Sequence, residues 1–162
     1  MLTIQRITSQ DLPEFFELVE ALATYEHLSP PDAAARSRFA TDSCGERPRV
    51  DAYILRVSTI AVGYLILVET YSSFRAQPTL YIEDIFIREE HRSKGYGRRT
   101  IQFVLEQAVA RQCGRIEWQV LNWNEPAIRF YESLGAERMS EWSTYRISAE
   151  QFSHITSRFP KQ

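Results

Sequence analysis

The chain has 162 residues, 44% of them hydrophobic and 25% charged, with 19 Lys+Arg against 21 Asp+Glu and a net charge of −2. That length implies one domain, 1–162, with a core large enough to need no staples, and the near-neutral balance argues against a nucleic-acid or membrane-surface protein. No apolar run approaches ~18 residues, Met1–Arg6 lacks the profile of a secretory signal, and the two cysteines, Cys44 and Cys113, suit a reducing compartment, so a cytoplasmic protein is expected.

Leu2, Ile4 and Ile7 with Thr3 and Thr8 predict a first strand. Thr8 or Ser9 can cap the following helix, Asp11 and Glu14 suit its positive end, and Pro13 fits its first turn. Leu12, Phe15, Phe16, Val19 and Leu22 recur at helical spacing to about Tyr25 or His27. Pro30-Pro31 breaks that helix, a short one runs from Asp32 through Phe39, and Thr41 to Arg49 reads as loop. Val50 to Val57 and Ile60 to Thr70 form an antiparallel hairpin turning at Ser58-Thr59. Tyr71 to Pro78 is a loop, and Leu80 to Ile87 is a strand, apolar apart from Glu83 and Asp84. Ile101, Val104, Leu105 and Ala108 predict a helix from near Gly97 to Gln112, stopped by Gly114. A strand at Ile116 to Leu121, a short helix at Pro126 to Leu134 closed by Gly135, and a last strand at Trp142 to Ile147 complete the chain. The order predicts an α+β fold whose parallel, right-handed strand–helix–strand unit sits in a mixed sheet.

Arg92-Ser93-Lys94-Gly95-Tyr96-Gly97 falls between a buried strand and a helix, and Arg92, Lys94, Arg98 and Arg99 crowd the helix start. Exposed cations there are disfavoured by roughly 0.3–1 kcal/mol each, and a bound anion reverses the sign. Free amides, glycines for close approach and surrounding cations describe a pyrophosphate site. No Gly-Lys-Ser/Thr is present, and Thr100 stands where a dinucleotide fingerprint needs its third glycine. The alternative is a glycine-rich turn with solvated charges.

Arg92-x-x-Gly95-x-Gly97 after a buried strand resembles the acetyl-CoA loop of the GNAT N-acetyltransferases. Leu80 to Ile87, Asn122 to Tyr131, Leu134-Gly135-Ala136 and Leu22 to Glu26 are similar to the spermidine/spermine (diamine/thialysine) N-acetyltransferase-like branch. Ser93 stands where a glycine is common. The resemblance implies a mostly antiparallel sheet splayed at the acetyl-CoA cleft, flanked by helices, and often a homodimer. It implies acetyl-CoA held by the loop residues Arg92, Ser93, Lys94, Gly95, Tyr96, Gly97 and Arg98. The backbone of Ile85, Phe86 and Ile87 would orient the pantetheine arm, with Asn124 and Tyr131 near the cofactor.

Acetyl transfer requires an amine that has lost its proton, a polarised carbonyl and a leaving thiolate. An alkyl amine of pKa ~10.4 is neutral in about one molecule in a few thousand at pH 7. A glutamate near ~4.3 is roughly six units too weak a base, so a carboxylate helps only with a raised pKa or through water. Glu83 interrupts an apolar strand, where a buried charge is costly; it reads as a structural ion pair or, by the resemblance, as a water-mediated base. In a regular strand Asp84 points to the opposite face, and a bulge could bring both carboxylates to the cleft. Asp84 either holds a cationic substrate or bridges to an arginine.

Tyr131 lies on the apolar stripe Ala127, Phe130, Tyr131, Leu134, which by pattern alone is core. A phenol near ~10 can also donate to a departing thiolate near ~8.5, and the resemblance implies that Tyr131 is the general acid. Tyr25, Glu26, Glu69, Glu83, Asp84, Glu125, Glu141 and Trp142 could line an acidic, aromatic mouth for a cationic amine. His27, His91 and His154 are isolated, so no metal is expected. Three functions follow: an acetyltransferase of a small polyamine- or lysine-like amine, the same chemistry on a protein lysine or N-terminus, or a non-catalytic acyl-CoA sensor.

Overall fold

Residues 1–159 are described by a computed structural model, in which five strands form one sheet in the order of the chain. The elements are β1 (Leu2–Arg6), α1 (Leu12–Glu26), α2 (Ala33–Cys44), β2 (Asp51–Val57), β3 (Ile60–Ser72), β4 (Gln77–Ile87), a 3-10 turn (Glu89–His91), α3 (Tyr96–Ala110), β5 (Arg115–Trp118), α4 (Glu125–Glu132) and α5 (Ala149–Thr156). β1 to β4 are antiparallel, and β5 joins β4 in parallel after α3. This is the expected mixed, mostly antiparallel sheet. The chain divides into a first compact unit, Met1–Gln119, and a second from Val120 onward.

Helices cover both faces of the sheet in the first unit, which explains why β3 is buried without interruption from Ala61 to Leu67. On one face Leu65, Leu67, Leu80 and Ile82 pack with Val104 and Ala108 of α3. On the other, Ile54, Tyr64, Ile66 and Phe86 pack with Phe15 and Leu18 of α1, and Phe39 and Cys44 of α2 lie against them. The β2–β3 hairpin turns at Ser58-Thr59, with Ser58 at φ 56°.

Several boundaries differ from the sequence reading. Asp11, not Thr8 or Ser9, is the N-cap residue of α1; its carboxylate accepts from Thr8 N–H at 2.9 Å and from Thr8 Oγ1 at 2.7 Å. Arg56 of β2 bonds Asp11 at 3.0 Å and Glu14 at 2.6 Å, tying the helix start to the sheet. α2 runs on through Cys44, because Thr41 and Ser43 return hydroxyl bonds to the carbonyls of Ser37 and Phe39. β3 and β4 pair as far as Ser72↔Gln77, so the loop between them is shorter than its composition suggests.

No strand forms over Trp142–Ile147 among the described residues. The segment has a β-prone composition but forms no strand pairing, and Trp142, Tyr145 and Ile147 are exposed. α5 follows it and was not anticipated, although Ser148-x-x-Gln151 is a capping-box pattern; Ser148 N–H donates to Gln151 Oε1 at 3.0 Å.

Candidate active site

The site grows from an irregularity in β4. Asp84 pairs with Ile66 and Ile82 pairs with Leu67, leaving Glu83 as an extra, unpaired residue. Such a bulge reverses the alternation of the strand. Ile82 therefore packs on the α3 face, while Asp84 and Phe86 lie beside Ile66 and Tyr64 on the α1 face. The β4–β5 ladder ends at Ile82↔Trp118, and among the described residues no strand pairs with Glu83–Ile87 on that side. The splay thus leaves open the backbone edge at Ile85–Ile87. On the other side Gly63 lets β3 approach closely, since a Cβ there would sit 2.2 Å from Phe86 O.

Glu83 is exposed rather than buried, contrary to the reading of a charge enclosed by apolar neighbours. The more enclosed of the two carboxylates is Asp84, which is half-buried. Burial first, and then the charges of Glu83 and Glu26, push its pKa up to about 6. Burial also raises Glu26, near the C-terminal end of α1. Neither Glu83 nor Asp84 has an ion pair among the described residues, so the salt-bridge readings of both find no partner. The remaining polar neighbour is Tyr64, which is 0% exposed, and its hydroxyl makes no hydrogen bond of normal geometry. It lies diagonally across the β3–β4 ladder from Asp84, and its hydroxyl opposes part of the rise in the carboxyl pKa. Sequence reading does not single out Tyr64, because a tyrosine inside an apolar strand reads as core; the available signal is the β3–β4 register.

The loop before α3 carries two left-handed residues, Ser93 at φ 60° and Gly95 at φ 80°. Ser93 thus adopts the conformation that favours the family's usual glycine. Gly95 is the N-cap of α3, which has no side-chain cap and no acidic residue in its first turn. Arg99 N–H closes the first helical bond onto Gly95 O at 3.1 Å, leaving the Tyr96, Gly97 and Arg98 amides without backbone acceptors. Lys94, Arg98 and Arg99 are exposed around them. Lys94 Nζ bonds Glu90 O at 2.8 Å, and Arg99 bonds Gln102 at 3.0 Å.

Arg92 behaves differently from those three. Its Nε donates to Ile87 O at 3.0 Å, and its guanidinium lies 4.6 Å from the centre of the Tyr25 ring and 5.9 Å from that of Phe86. A cavity of about 240 Å³ opens there, between Thr24 and Tyr25 of α1, Phe86 of β4, and Arg88, Glu89 and Arg92. The first unit thus gathers Tyr25, Glu26, Asp84, Phe86 and Arg92 around the C-terminal halves of α1 and β4.

Asn124, Tyr131 and Trp142 belong to the second unit. Asn124 caps α4, its side chain accepting from Ala127 N–H at 3.3 Å, which starts the helix that carries Tyr131. Tyr131 packs against Phe130 with ring centres 5.3 Å apart, and burial pushes its hydroxyl pKa up to about 12. Trp142 is 76% exposed.

A family model for the acetyltransferase (GNAT) family matches residues 12–136. The chain belongs to the GNAT family. The L-ornithine N5-acetyltransferase NATA1 of Arabidopsis thaliana is 28% identical, over 94% of this chain and 86% of that protein. The thialysine N-epsilon-acetyltransferase of Bos taurus is 26% identical, over 96% of this chain and 97% of that protein. Among solved structures, a possible acetyltransferase from Clostridium difficile 630 superposes with a TM-score of 0.78 at 16% identity, covering 92% of this chain and 98% of that one, a likeness of fold. This GNAT chain is accordingly an N-acetyltransferase acting on amines. None of its described helices is long and apolar enough to cross a membrane.

Proposed function

We propose that the enzyme moves the acetyl group of acetyl-CoA directly to a primary amine of a small, cationic, polyamine- or lysine-like molecule. The observation that carries this reading is the acidic group Glu26, Glu83 and Asp84, of which Glu83 and Asp84 have no ion pair among the described residues. Three neighbouring carboxylates repel one another, and a cation arriving among them relieves that repulsion. The named relatives that act on ornithine and thialysine support the same class of acceptor.

The loop fits the anionic part of acetyl-CoA: its amides lack acceptors, its cations stand at the wrong helix end for stability, and no acidic side chain competes in the first turn. Ser93, Lys94, Gly95, Tyr96, Gly97 and Arg98 would hold the pyrophosphate, and Ile85, Phe86 and Ile87 would bond the pantetheine arm along the free edge of β4. When bound, acetyl-CoA supplies the activated thioester that the amine attacks. Arg92 contributes by fixing the loop against Ile87 and Tyr25. Asn124 supports the cofactor side by starting α4.

Glu83 suits a proton relay because it is open to solvent, so a water between it and the ammonium can carry the proton away. Asp84 holds the ammonium by charge, with Tyr25, Glu26 and Trp142 as further substrate contacts. Tyr131, kept protonated by burial, donates a hydrogen bond to the sulfur as thiolate charge develops. Full proton transfer from such a phenol to a thiolate near ~8.5 is uphill, so stabilisation of the developing charge comes first.

The family match spans the boundary between the two compact units, which supports one catalytic domain over 1–162. The exposed side chains of Trp142, Tyr145 and Ile147 support a homodimer, to be checked by light scattering. The free Cys44 and Cys113 suit a cytoplasmic setting. Acetyl-CoA incubated with diamines, lysine and ornithine analogues, and lysine peptides tests the acceptor, read by free-thiol release. Release with the small amines is expected; release with peptides alone overturns the small-amine reading.

A further inference from the structure

Tyr64 and Asp84 sit on adjacent strands of one buried face. Asp84 pairs with Ile66 and Tyr64 pairs with Phe86, so the two are diagonal neighbours across the β3–β4 ladder, within reach of a long aromatic side chain. The hydroxyl at the end of Tyr64 is wholly buried and lacks a partner of normal geometry. A buried donor left unmet is costly, so its placement diagonally across from a half-buried carboxylate calls for a reason.

The groups facing Asp84 can be named element by element. Tyr64 and the apolar Ile66 come from β3, Glu83 from β4 itself, and Glu26 from α1. On α2 the adjoining Phe39 is apolar and the Cys44 thiol is turned to Ile7 O at 3.9 Å. Of the two arginines lining the 240 Å³ cavity, Arg92 is turned onto the Tyr25 and Phe86 rings, and Arg88 forms no ion pair with Asp84. Two negative charges and burial therefore favour a neutral Asp84, and the Tyr64 hydroxyl is the one group among these that favours the carboxylate.

We propose that Tyr64 is a positioning residue that keeps Asp84 ionised and aimed at the incoming ammonium group, through a hydrogen bond from its buried hydroxyl. This rests on the reading of Asp84 as the holder of a cationic acceptor. The role belongs to the hydroxyl, because a phenylalanine would fill the same core position between Phe15 and Phe86. It also explains why a polar atom is kept inside an otherwise apolar face.

The test is Tyr64→Phe, read in two independent ways. A carbon-13 NMR titration of the Asp84 carboxyl, assigned with Asp84→Asn, is expected to move up by about one pH unit in Tyr64→Phe. An unmoved titration overturns the proposal, whatever the activity. In kinetics with a diamine, KM is expected to rise roughly fivefold near pH 6 and to converge on the wild-type value above pH 8, with kcat little changed. In an Asp84→Asn background, Tyr64→Phe should then have no further effect on KM; an undiminished effect there would assign Tyr64 a merely structural role. If wild-type enzyme acetylates no amine, the acceptor reading falls while the titration still decides the Tyr64 proposal.

Discussion

Ile82 and Asp84 are two residues apart on β4 and lie on opposite faces of the sheet. A regular strand would place them on the same face. The extra residue between them, Glu83, turns an otherwise ordinary strand into one that buries a carboxylate beside α1 while staying exposed itself. From this relationship come the charge of the site and most of its expected behaviour.

Asp84 has a folded-state pKa of about 6, above its ordinary 3.8. Between those values the folded protein holds a proton that the unfolded chain has lost, so stability falls as pH rises through that window. The loss approaches about 3 kcal/mol once Asp84 is fully ionised. Asp84→Asn should therefore stabilise the protein at pH 8 and have little effect near pH 4. Urea unfolding at the two pH values measures the difference, and a gain that is equal at both would be incompatible with a buried, ionising Asp84.

Glu83→Ala should leave folding within about 0.5 kcal/mol of wild type, because the side chain is exposed and forms no ion pair with the described residues. Its kcat/KM for a small amine should drop roughly 10²-fold near pH 7 and recover toward pH 9, where more of the amine arrives neutral. A flat profile equal to that of wild type would remove Glu83 from the proton path.

Tyr131→Phe should bind acetyl-CoA as wild type does and lose about 10²-fold or more in kcat. Calorimetric titration and steady-state turnover separate the two quantities. Equal turnover across the pH range would leave Tyr131 as a packing residue only.

Gly63→Ala should cost at least about 2 kcal/mol, because the new Cβ meets the Phe86 carbonyl at 2.2 Å and backbone must give way. The strands would have to part at Phe86 and Ile87, so acetyl-CoA affinity should fall as well. Gly95→Ala makes a useful contrast. Its Cβ would meet nothing within 4 Å, but φ of 80° costs a side chain about 1 kcal/mol. Thermal melts distinguish a steric penalty from a conformational one.

Much of this protein could be read along the chain. The apolar stripe of Leu12, Phe15, Phe16 and Leu22 makes α1, the spacing of Ile101, Val104 and Ala108 makes α3, and the glycines between Arg92 and Gly97 mark the turn that starts α3. These features depend on residues within one or two turns of each other, so local pattern suffices. The same holds for the capping pattern at Ser148, which is legible within four residues of sequence. Trp142–Ile147 shows the limit: its composition suits a strand, but a strand also needs an edge, and that is not a local property.

The near-equal 19 basic and 21 acidic residues left open where charge gathers. Tertiary structure answered that. The β3–β4 register decided that Glu83 is a bulge, that Asp84 is the half-buried carboxylate, and that Tyr64 lies diagonally across from it. The packing of α1 brought in Glu26 and drew Arg92 onto Tyr25. Sequence alone determined the main helices and strands from Leu2 to Ala110 and singled out the loop before α3, because those follow from short-range periodicity and turn chemistry. Which carboxylate is shielded from water, and by what, depended on pairing between strands far apart in the chain.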